Sequence, residues 1–283
     1  MIWTLTTIEI KKMFHRPRTY LGFFGASLIP LTVILIFYFK DPTPFIAKVL
    51  GDMFSLSGSI LNGYLVSLVT INQGTMNFFL PVLIVLFVGE IIAGENQEGT
   101  LRLILSRPVN RSHFIIAKLI TVTLYSFILI LIMLTIGLGG GLLAYGDGSL
   151  FITGLFLGNE GWFNILNSQN ALIRLLMVYG AAYLVLLTVV SLTFFLSSIL
   201  KNSISAMIIP LVLIIFLRII SAFPFLSELK PYLFTNYMDL WVDILAPKIP
   251  WKEIIKSGAI LAVHSSCFIL GSFFLFNRKD ILS

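Results

Sequence analysis

Residues 76–93, MNFFLPVLIVLFVGEIIA, form an apolar stretch with one ionisable side chain, Glu90. A helix of about 20 such residues is about 30 Å long and matches the hydrocarbon layer of a bilayer. The rest of the chain has the same character, because 58% of its 283 residues are hydrophobic and only 11% are charged. Its mean hydropathy is +0.99. A water-soluble domain carries about twice that charged fraction, so the composition favours an integral membrane protein.

Six stretches have the length and hydropathy of membrane-spanning helices. They are Tyr20–Phe39, Met76–Ala93, Phe114–Leu143, Leu175–Leu200, Ser203–Phe223 and Gly258–Phe276. The predicted fold is an all-α integral membrane protein in which residues 1–283 form a single transmembrane domain. The predicted outer loops cover about 40–75, 144–173 and 224–256. Within the first loop, Ser55–Ile71 is fairly apolar and is interpreted as a surface or re-entrant element.

The distribution of basic residues predicts the orientation of the chain. An even number of spans places both termini on the same side. If that side is the cytoplasm, the inner segments hold eleven of the 19 lysines and arginines in a short total length. The positive-inside rule therefore predicts cytoplasmic termini. The net charge of +6 is best explained by contact with anionic lipid, and no nucleic-acid partner is expected.

Residues 1–16 have the pattern of a separate helix. Trp3, Ile10 and Phe14 fall on one side of a helical wheel, and most basic residues fall on the other. This pattern is typical of a helix that lies in the plane of the membrane interface, although an ordinary basic flank is the alternative. Pro17 then ends this helix before the first span.

A compact polar block, residues 94–111 with the sequence GENQEGTLRLILSRPVNR, separates the second and third spans. Thr100 is a candidate N-cap, and Leu101 and Leu105 lie on one face of a following helical turn. Pro108 prevents the helix from continuing. The block therefore predicts one to two turns of helix, too short to fold alone. Its apolar face fits either a partner protein or the lipid headgroups.

The residues of this block resemble those of the permease subunits of ATP-binding-cassette (ABC) type-2 exporters. The matching pattern is Gly94-Glu95-x-x-x-Gly99-Thr100-Leu101-x-x-Ile104-Leu105-Ser106-x-Pro108-Val109-x-Arg111, followed by Lys118 at the start of the next span. The resemblance also includes the six spans and the amphipathic N-terminal helix. In actual residues it is specific over only about 25 positions, and it does not identify a substrate.

The resemblance implies that the loop at about 94–112 supplies a coupling helix that seats in a cleft of a separate ATPase subunit. It assigns this contact to Glu95, Glu98, Gly99, Thr100, Leu101, Arg102, Leu105, Pro108 and Arg111. The N-terminal helix would be a second contact. The implied location is the plasma (inner) membrane of a prokaryote.

The partners implied are two ABC-type ATPase subunits, a second permease copy or a paralogue, and membrane lipid. The chain has no Gly-x-x-x-x-Gly-Lys-[Ser/Thr] motif and no clustered histidines. We therefore expect no catalytic residue, no metal site and no cofactor in this chain. ATP and Mg²⁺ are expected in the partner ATPase subunit.

Two ionisable side chains within the spans are candidates for a mechanistic role, because a charge in a membrane span is costly. Glu90 lies about one turn inside the cytoplasmic end of the second span and is expected to tie that span to the coupling helix. Arg218 lies in the outer third of the fifth span and is expected to reach the outer headgroups. Asp239 and Asp243 are spaced to bind a cation or to form a solvated helix face.

Two other functions are left open by the residues alone. A secondary transporter or channel that works without ATP would use Glu90 or Arg218 as an ion-coupling site. A membrane anchor for another complex would use the 94–112 loop as a passive docking element.

Overall fold

The computed structural model describes residues 2–44, 60–101, 110–153 and 163–278, except for the side chain of Ser227. In chain order, the elements are α1 (Ile2–His15), α2 (Pro17–Phe39), α3 (Gly63–Thr70), α4 (Thr75–Gln97), α5 (Arg111–Tyr145), β1 (Leu150–Thr153), β2 (Phe163–Leu166), α6 (Ser168–Ile199), α7 (Ser203–Ala222), the 3₁₀ segments Pro224–Tyr232 and Phe234–Tyr237, α8 (Leu240–Asp243) and α9 (Trp251–Arg278). The protein is an all-α integral membrane protein.

The described residues contain six helices long and apolar enough to cross a bilayer, namely α2, α4, α5, α6, α7 and α9. The six predicted spans are therefore confirmed, and all of the helices except α7 are longer than the apolar stretches that revealed them. Helix α6 begins at Ser168 rather than at Leu175. Arg174 lies within the helix because its guanidinium Nη1 donates to the carbonyl oxygens of Ile244 and Ala246, which follow α8. Hydropathy shows only the apolar part of a span, whereas its polar ends depend on such partners.

The bundle has two polar ends, which we name by their elements. At the α1 end, α1 packs against α5, near the C-terminal end of α4. At the hairpin end, β1 and β2 form a two-stranded antiparallel hairpin in which Leu150 is opposite Leu166. The side-chain amide of Asn164 donates to the carbonyl oxygen of Leu245 over 3.0 Å and ties the hairpin to the segment after α8.

Helix α6 lies at the centre of the bundle and packs against α9, α5, α4 and α7. Helices α4 and α6 are the most buried spans, whereas α2, α7 and α9 each leave most of their surface exposed. The exposed faces carry large apolar side chains such as Phe24 on α2, Phe216 on α7 and Leu270 on α9. In a bilayer such surface is compatible with contact to lipid chains.

The predicted surface or re-entrant element at Ser55–Ile71 is partly described, since residues 55–59 lie outside the described ranges. Its described part contains α3, which is buried between α5 and α6 instead of lying on the surface. A Cβ added to Gly63 would lie 2.4 Å from the backbone nitrogen of Leu142. The absence of a side chain at Gly63 therefore allows α3 to pack closely against the glycine-rich segment 137–141 of α5.

Candidate functional site: an ion-paired junction at the α1 end

Helix α1 contacts the bundle through a face that sequence analysis did not identify. The residues buried on it are Thr6, Glu9 and Met13. The predicted apolar stripe lies on a neighbouring face, where Trp3 and Phe14 are exposed and Ile10 is half-buried. Phe14 also contacts the bundle, because its ring centroid lies 6.3 Å from that of Phe23 in α2. Trp3 is 80% exposed and remains available to the membrane interface.

The centre of the junction is Lys118, a residue of α5 with a fully buried side chain. Its ammonium Nζ lies 3.0 Å from Glu9 Oε2 of α1 and 2.8 Å from Glu95 Oε2 of α4. It also donates to the carbonyl oxygen of Ile91 over 2.9 Å. One buried cation therefore joins three helices that are far apart in the chain.

Lys12 of α1 completes the network from the solvent side. Its Nζ donates to Glu9 Oε1 over 2.8 Å and to Glu95 Oε1 over 3.2 Å. The two carboxylates are almost fully buried, whereas the side chain of Lys12 is 38% exposed. Two positive and two negative charges alternate, so the junction is neutral as a whole.

The network changes the acid–base behaviour of the two α1 residues. Burial by itself raises the pKa of Glu9, but the charges of Lys118 and Lys12 and their hydrogen bonds outweigh it, so its pKa lies below the ordinary value of 4.5. Burial lowers the pKa of Lys12, but its bonds to Glu9 and Glu95 outweigh it, and that pKa lies above 10.5. Both side chains are therefore charged at neutral pH.

A four-charge network of this kind constrains the elements that carry it. Replacing a buried ion pair by apolar groups is often neutral for stability, but removing one partner strands a buried charge at a cost of about 3–5 kcal/mol. Helix α1 therefore cannot leave α4 and α5 without exposing Glu9 and leaving Lys118 with one fewer carboxylate. The junction makes α1 and the adjoining ends of α4 and α5 one mechanical unit.

A break in α4 at Gly89 separates the segment that carries Glu95 from the rest of the helix. The hydroxyl of Ser197 in α6 donates to the carbonyl oxygen of Gly89 over 2.7 Å. It also accepts from the backbone N–H groups of Ile92 and Ala93 at 3.2 and 3.1 Å. A single hydroxyl thus satisfies backbone groups that the break releases, as the interior of a membrane requires.

Glycine is required at this break because α4 approaches α7 closely. A Cβ added to Gly89 would lie 2.8 Å from the carbonyl oxygen of Ala206. The side-chain carbonyl of Gln97, at the end of α4, accepts from the backbone N–H of Ser203 over 2.8 Å. The start of α7 is therefore attached to the same end of α4.

Glu90 pairs with a residue of the first span. Its carboxylate accepts from Nη1 of Arg18, near the start of α2, so the ion pair joins α4 to α2. The expected contact of Glu90 with the coupling helix stays a prediction, because residues 102–109 lie outside the described residues. Sequence spacing could not reveal this pairing, since the two residues are brought together only by packing.

The described residues of the predicted coupling segment fall into an exposed and a buried group. Glu98 is exposed, and Gly99 and Thr100 are half-exposed at the end of α4. Glu95 and Leu101 are buried. Glu95 belongs to the ion network and Leu101 to the core, and their assignment as contacts to another subunit stays a prediction.

Local geometry explains how the chain leaves α4. Gly99 has a φ of +73°, in the left-handed region that glycine adopts without strain. The Thr100 hydroxyl donates to the carbonyl oxygen of Glu95 over 3.2 Å and so caps the end of α4. Its predicted role as an N-cap concerns residues 102 and 103, which lie outside the described residues. Arg111 donates to the carbonyl oxygen of Asn277 in α9 over 3.1 Å. Arg102, Leu105 and Pro108 lie outside the described residues.

Arg218 belongs to a second polar cluster, at the hairpin end. Its Nη1 donates to Asp239 Oδ2 over 2.6 Å, and its Nη2 donates to Asn77 Oδ1 over 2.7 Å. The predicted contact with headgroups is replaced by this ion pair between α7 and the segment before α8. Burial, Asp239 and Glu253 raise the pKa of Asp243. Of the two aspartates that the sequence offered as a cation site or a solvated helix face, Asp239 is ion-paired to Arg218.

Sequence reasoning missed Glu9 and Lys12 and used Lys118 only as part of a motif. The signal was present in Lys118, which lies two turns inside α5 in an apolar context. A cation in that position requires a buried anion. The described residues contain no group of three or more His, Cys, Asp or Glu side chains placed to hold a metal ion.

Comparison with protein families matches residues 26–282 to the family described as "Protein of unknown function (DUF2705)". The match covers most of the chain. The chain belongs to this family. A relative from Bacillus subtilis (strain 168), described as "Uncharacterized protein YhcI", is 27% identical over 223 residues, which are 77% of this chain and 70% of the relative. Neither description names a substrate or an activity.

Proposed function

We propose that this DUF2705 protein is the membrane-spanning subunit of an ABC-type exporter and that it couples to separate ATPase subunits. The observation that carries the proposal is the network of Glu9, Lys12, Glu95 and Lys118. Glu95 lies at the start of the 94–112 loop and Lys118 follows the loop, so both of its ends are ion-paired to α1. A force applied to the loop would reach α1, α4 and α5 together.

The mechanism follows from this mechanical unit. ATPase subunits that close on ATP would press on the loop. The rigid ends of α4 and α5 would transmit the displacement into the spans, as coupling through packed elements with two arrangements requires. Two copies of the chain, or one copy and a paralogue, would form the pathway. The exposed Glu98, together with the half-exposed Gly99 and Thr100, is the described surface that we propose for contact with the ATPase.

The positions of the charged side chains weigh against an ion-coupled secondary transporter. Among the described residues, the buried charged side chains are Glu9, Glu95 and Lys118, and all three lie at the α1 end. Arg218 and Asp239 form their pair at the hairpin end. An ion-coupling site is typically built near the middle of the bilayer from charges that face one cavity.

The direct test is co-purification. The tagged chain is co-expressed with a P-loop ATPase encoded in a neighbouring reading frame, and the complex is assayed for vanadate-sensitive ATP hydrolysis. Glu98→Lys is expected to reduce the recovered ATPase roughly tenfold, because a charge reversal in an interface contact commonly costs more than 1 kcal/mol. The matched control is Glu228→Lys, an exposed glutamate near the hairpin end. Equal recovery from both variants, or no ATPase with the unaltered chain, would contradict the proposal.

The orientation is tested separately. Cys267, the one cysteine of the chain, is replaced by Ser, and Glu98 is replaced by Cys. A membrane-impermeant maleimide is expected to label this variant only after the cells are opened. Labelling of intact cells would place the loop on the outer face, where a cytoplasmic ATPase could not reach it.

A further inference from the structure

A shallow groove opens on the side of the bundle, between α9 and the 3₁₀ segment Pro224–Tyr232. It has a volume of about 400 Å³ and is lined by Pro231, Tyr232, Ala259, Ile260, Val263 and His264. The ring Nδ1 of His264 lies 2.9 Å from the carbonyl oxygen of Ile260. A carbonyl can only accept, so this nitrogen donates within the helix and its polarity is satisfied there. The walls therefore present mainly carbon surface.

The groove lies along the first half of the membrane-spanning helix α9. Helix α9 begins at Trp251, and both Trp251 and Tyr232 are exposed, as is typical of aromatic residues at a membrane–water interface. At 1.5 Å per residue, Val263 lies about 18 Å along the helix from Trp251. A groove at this depth that opens sideways faces lipid and not water.

Two lysines stand directly above the groove. Lys252 and Lys256 share the helix face of Ala259 and Val263, since these positions follow the i, i+4, i+7 and i+11 spacing. Both lysines are exposed. The carboxylate of Glu253 lies 3.8 Å from Lys256 Nζ, and both side chains are more than 60% exposed. Such an exposed pair is weak, so Lys256 can contact another anion.

We infer that the groove binds one acyl chain of an anionic glycerophospholipid whose phosphate is held by Lys252 and Lys256. The order of the features along α9 matches the lipid, with two cations at the boundary and an apolar channel beneath them. A soluble phosphate compound would use the lysines but not the groove, and an uncharged chain would use the groove but not the lysines. The site is independent of the transporter proposal.

The test is lipid binding by the full chain, purified in a mild detergent and titrated under native mass spectrometry. The probes are phosphatidylglycerol and phosphatidylcholine with identical acyl chains. We expect the anionic lipid to bind more tightly. The double variant Lys252→Gln/Lys256→Gln is expected to lose roughly thirtyfold in affinity for the anionic lipid, since each lysine near an anionic lipid surface contributes about five- to sixfold. The charge-matched control is Lys40→Gln/Lys201→Gln, at two other exposed helix ends.

A second variant tests the groove itself. Val263→Trp fills the channel and is expected to weaken both lipids, whereas Ile215→Trp on the exposed face of α7 is expected to weaken neither. Equal affinity of the unaltered chain for the two lipids would overturn the inference. Binding of glycerol 3-phosphate as tight as that of the lipid would also overturn it. Conversion of a dimer to a monomer by Val263→Trp, without loss of lipid, would assign the groove to a second copy of the chain.

Discussion

Replacement of Lys118 by Met is the most direct test of the ion-paired junction. The substitution keeps most of the side-chain volume, so little cavity is created. It removes an ammonium group that is fully buried and that contacts Glu9, Glu95 and the carbonyl oxygen of Ile91. The two carboxylates then share only Lys12, and the buried part of the network carries a net negative charge.

The expected loss is about 3–5 kcal/mol, the usual cost of stranding a buried charge by removing its partner. At the stability scale of large domains, this corresponds to a thermal midpoint lower by roughly 6–20 °C. The assay is thermal unfolding of the detergent-solubilised chain. The control is Lys11→Met, the same substitution at an exposed position of α1, with an expected effect within about 0.5 kcal/mol.

A second substitution, measured in the same assay, tests whether the loss comes from the uncompensated charge. Adding Glu9→Gln to Lys118→Met restores neutrality, because Lys12 then pairs with Glu95 alone. The double variant is therefore expected to be more stable than the sum of the two single losses would give, by about 0.5–3 kcal/mol of coupling. The reasoning is refuted if Lys118→Met behaves like Lys11→Met, or if the losses caused by the two substitutions simply add.

Three other predictions concern the same fold. Because the pKa of Glu9 is lowered below 4.5, its contribution to stability is present above that pH and is lost as the pH falls through the folded-state value. The thermal midpoint should therefore decrease less below pH 4.5 in Glu9→Gln than in the unaltered chain. The same decrease in both proteins would count against the network. Gly89→Ala should destabilise the fold by roughly 1–3 kcal/mol, because the new methyl group meets the α7 backbone. In the control Gly180→Ala nothing lies within 4 Å of the new methyl group, and this variant should be more stable by about 0.5–1 kcal/mol. Thermal unfolding of both variants tests the close approach of α4 to α7, and equal effects would disprove it. A double-mutant cycle of Arg218→Met and Asp239→Asn should give a coupling of about 1 kcal/mol, since the pair is partly exposed; a coupling near zero would show that it does not hold α7.

The sequence was sufficient for the spans because their signal is local. A run of about 20 apolar residues can hide its backbone from lipid only as a helix, whatever its neighbours are. The break between α1 and α2 was also predictable from the sequence, because Pro17 cannot continue the preceding helix. Composition and periodicity depend on the solvent that surrounds a segment, and here the solvent is the bilayer.

The sequence did not reveal the partners of the charged residues. Glu90 pairs with Arg18, a partner that the sequence did not indicate, and Arg218 was expected to reach headgroups but pairs with Asp239. Each pair joins residues that no periodic pattern links. In a medium of low polarity a charge pairs with whichever opposite charge the packing brings near, so position in a span gives the cost of the charge but not its partner.

The sequence alone determined that this chain spans a membrane six times and that an amphipathic helix precedes the first span. The tertiary structure decided which face of that helix is buried, because Glu9 meets Lys118 only when α1, α4 and α5 are packed together. The pattern of apolar residues along a single helix indicates which part of it can be buried. Charge pairing is decided by the distance between atoms on different helices, and that distance exists only in the folded bundle.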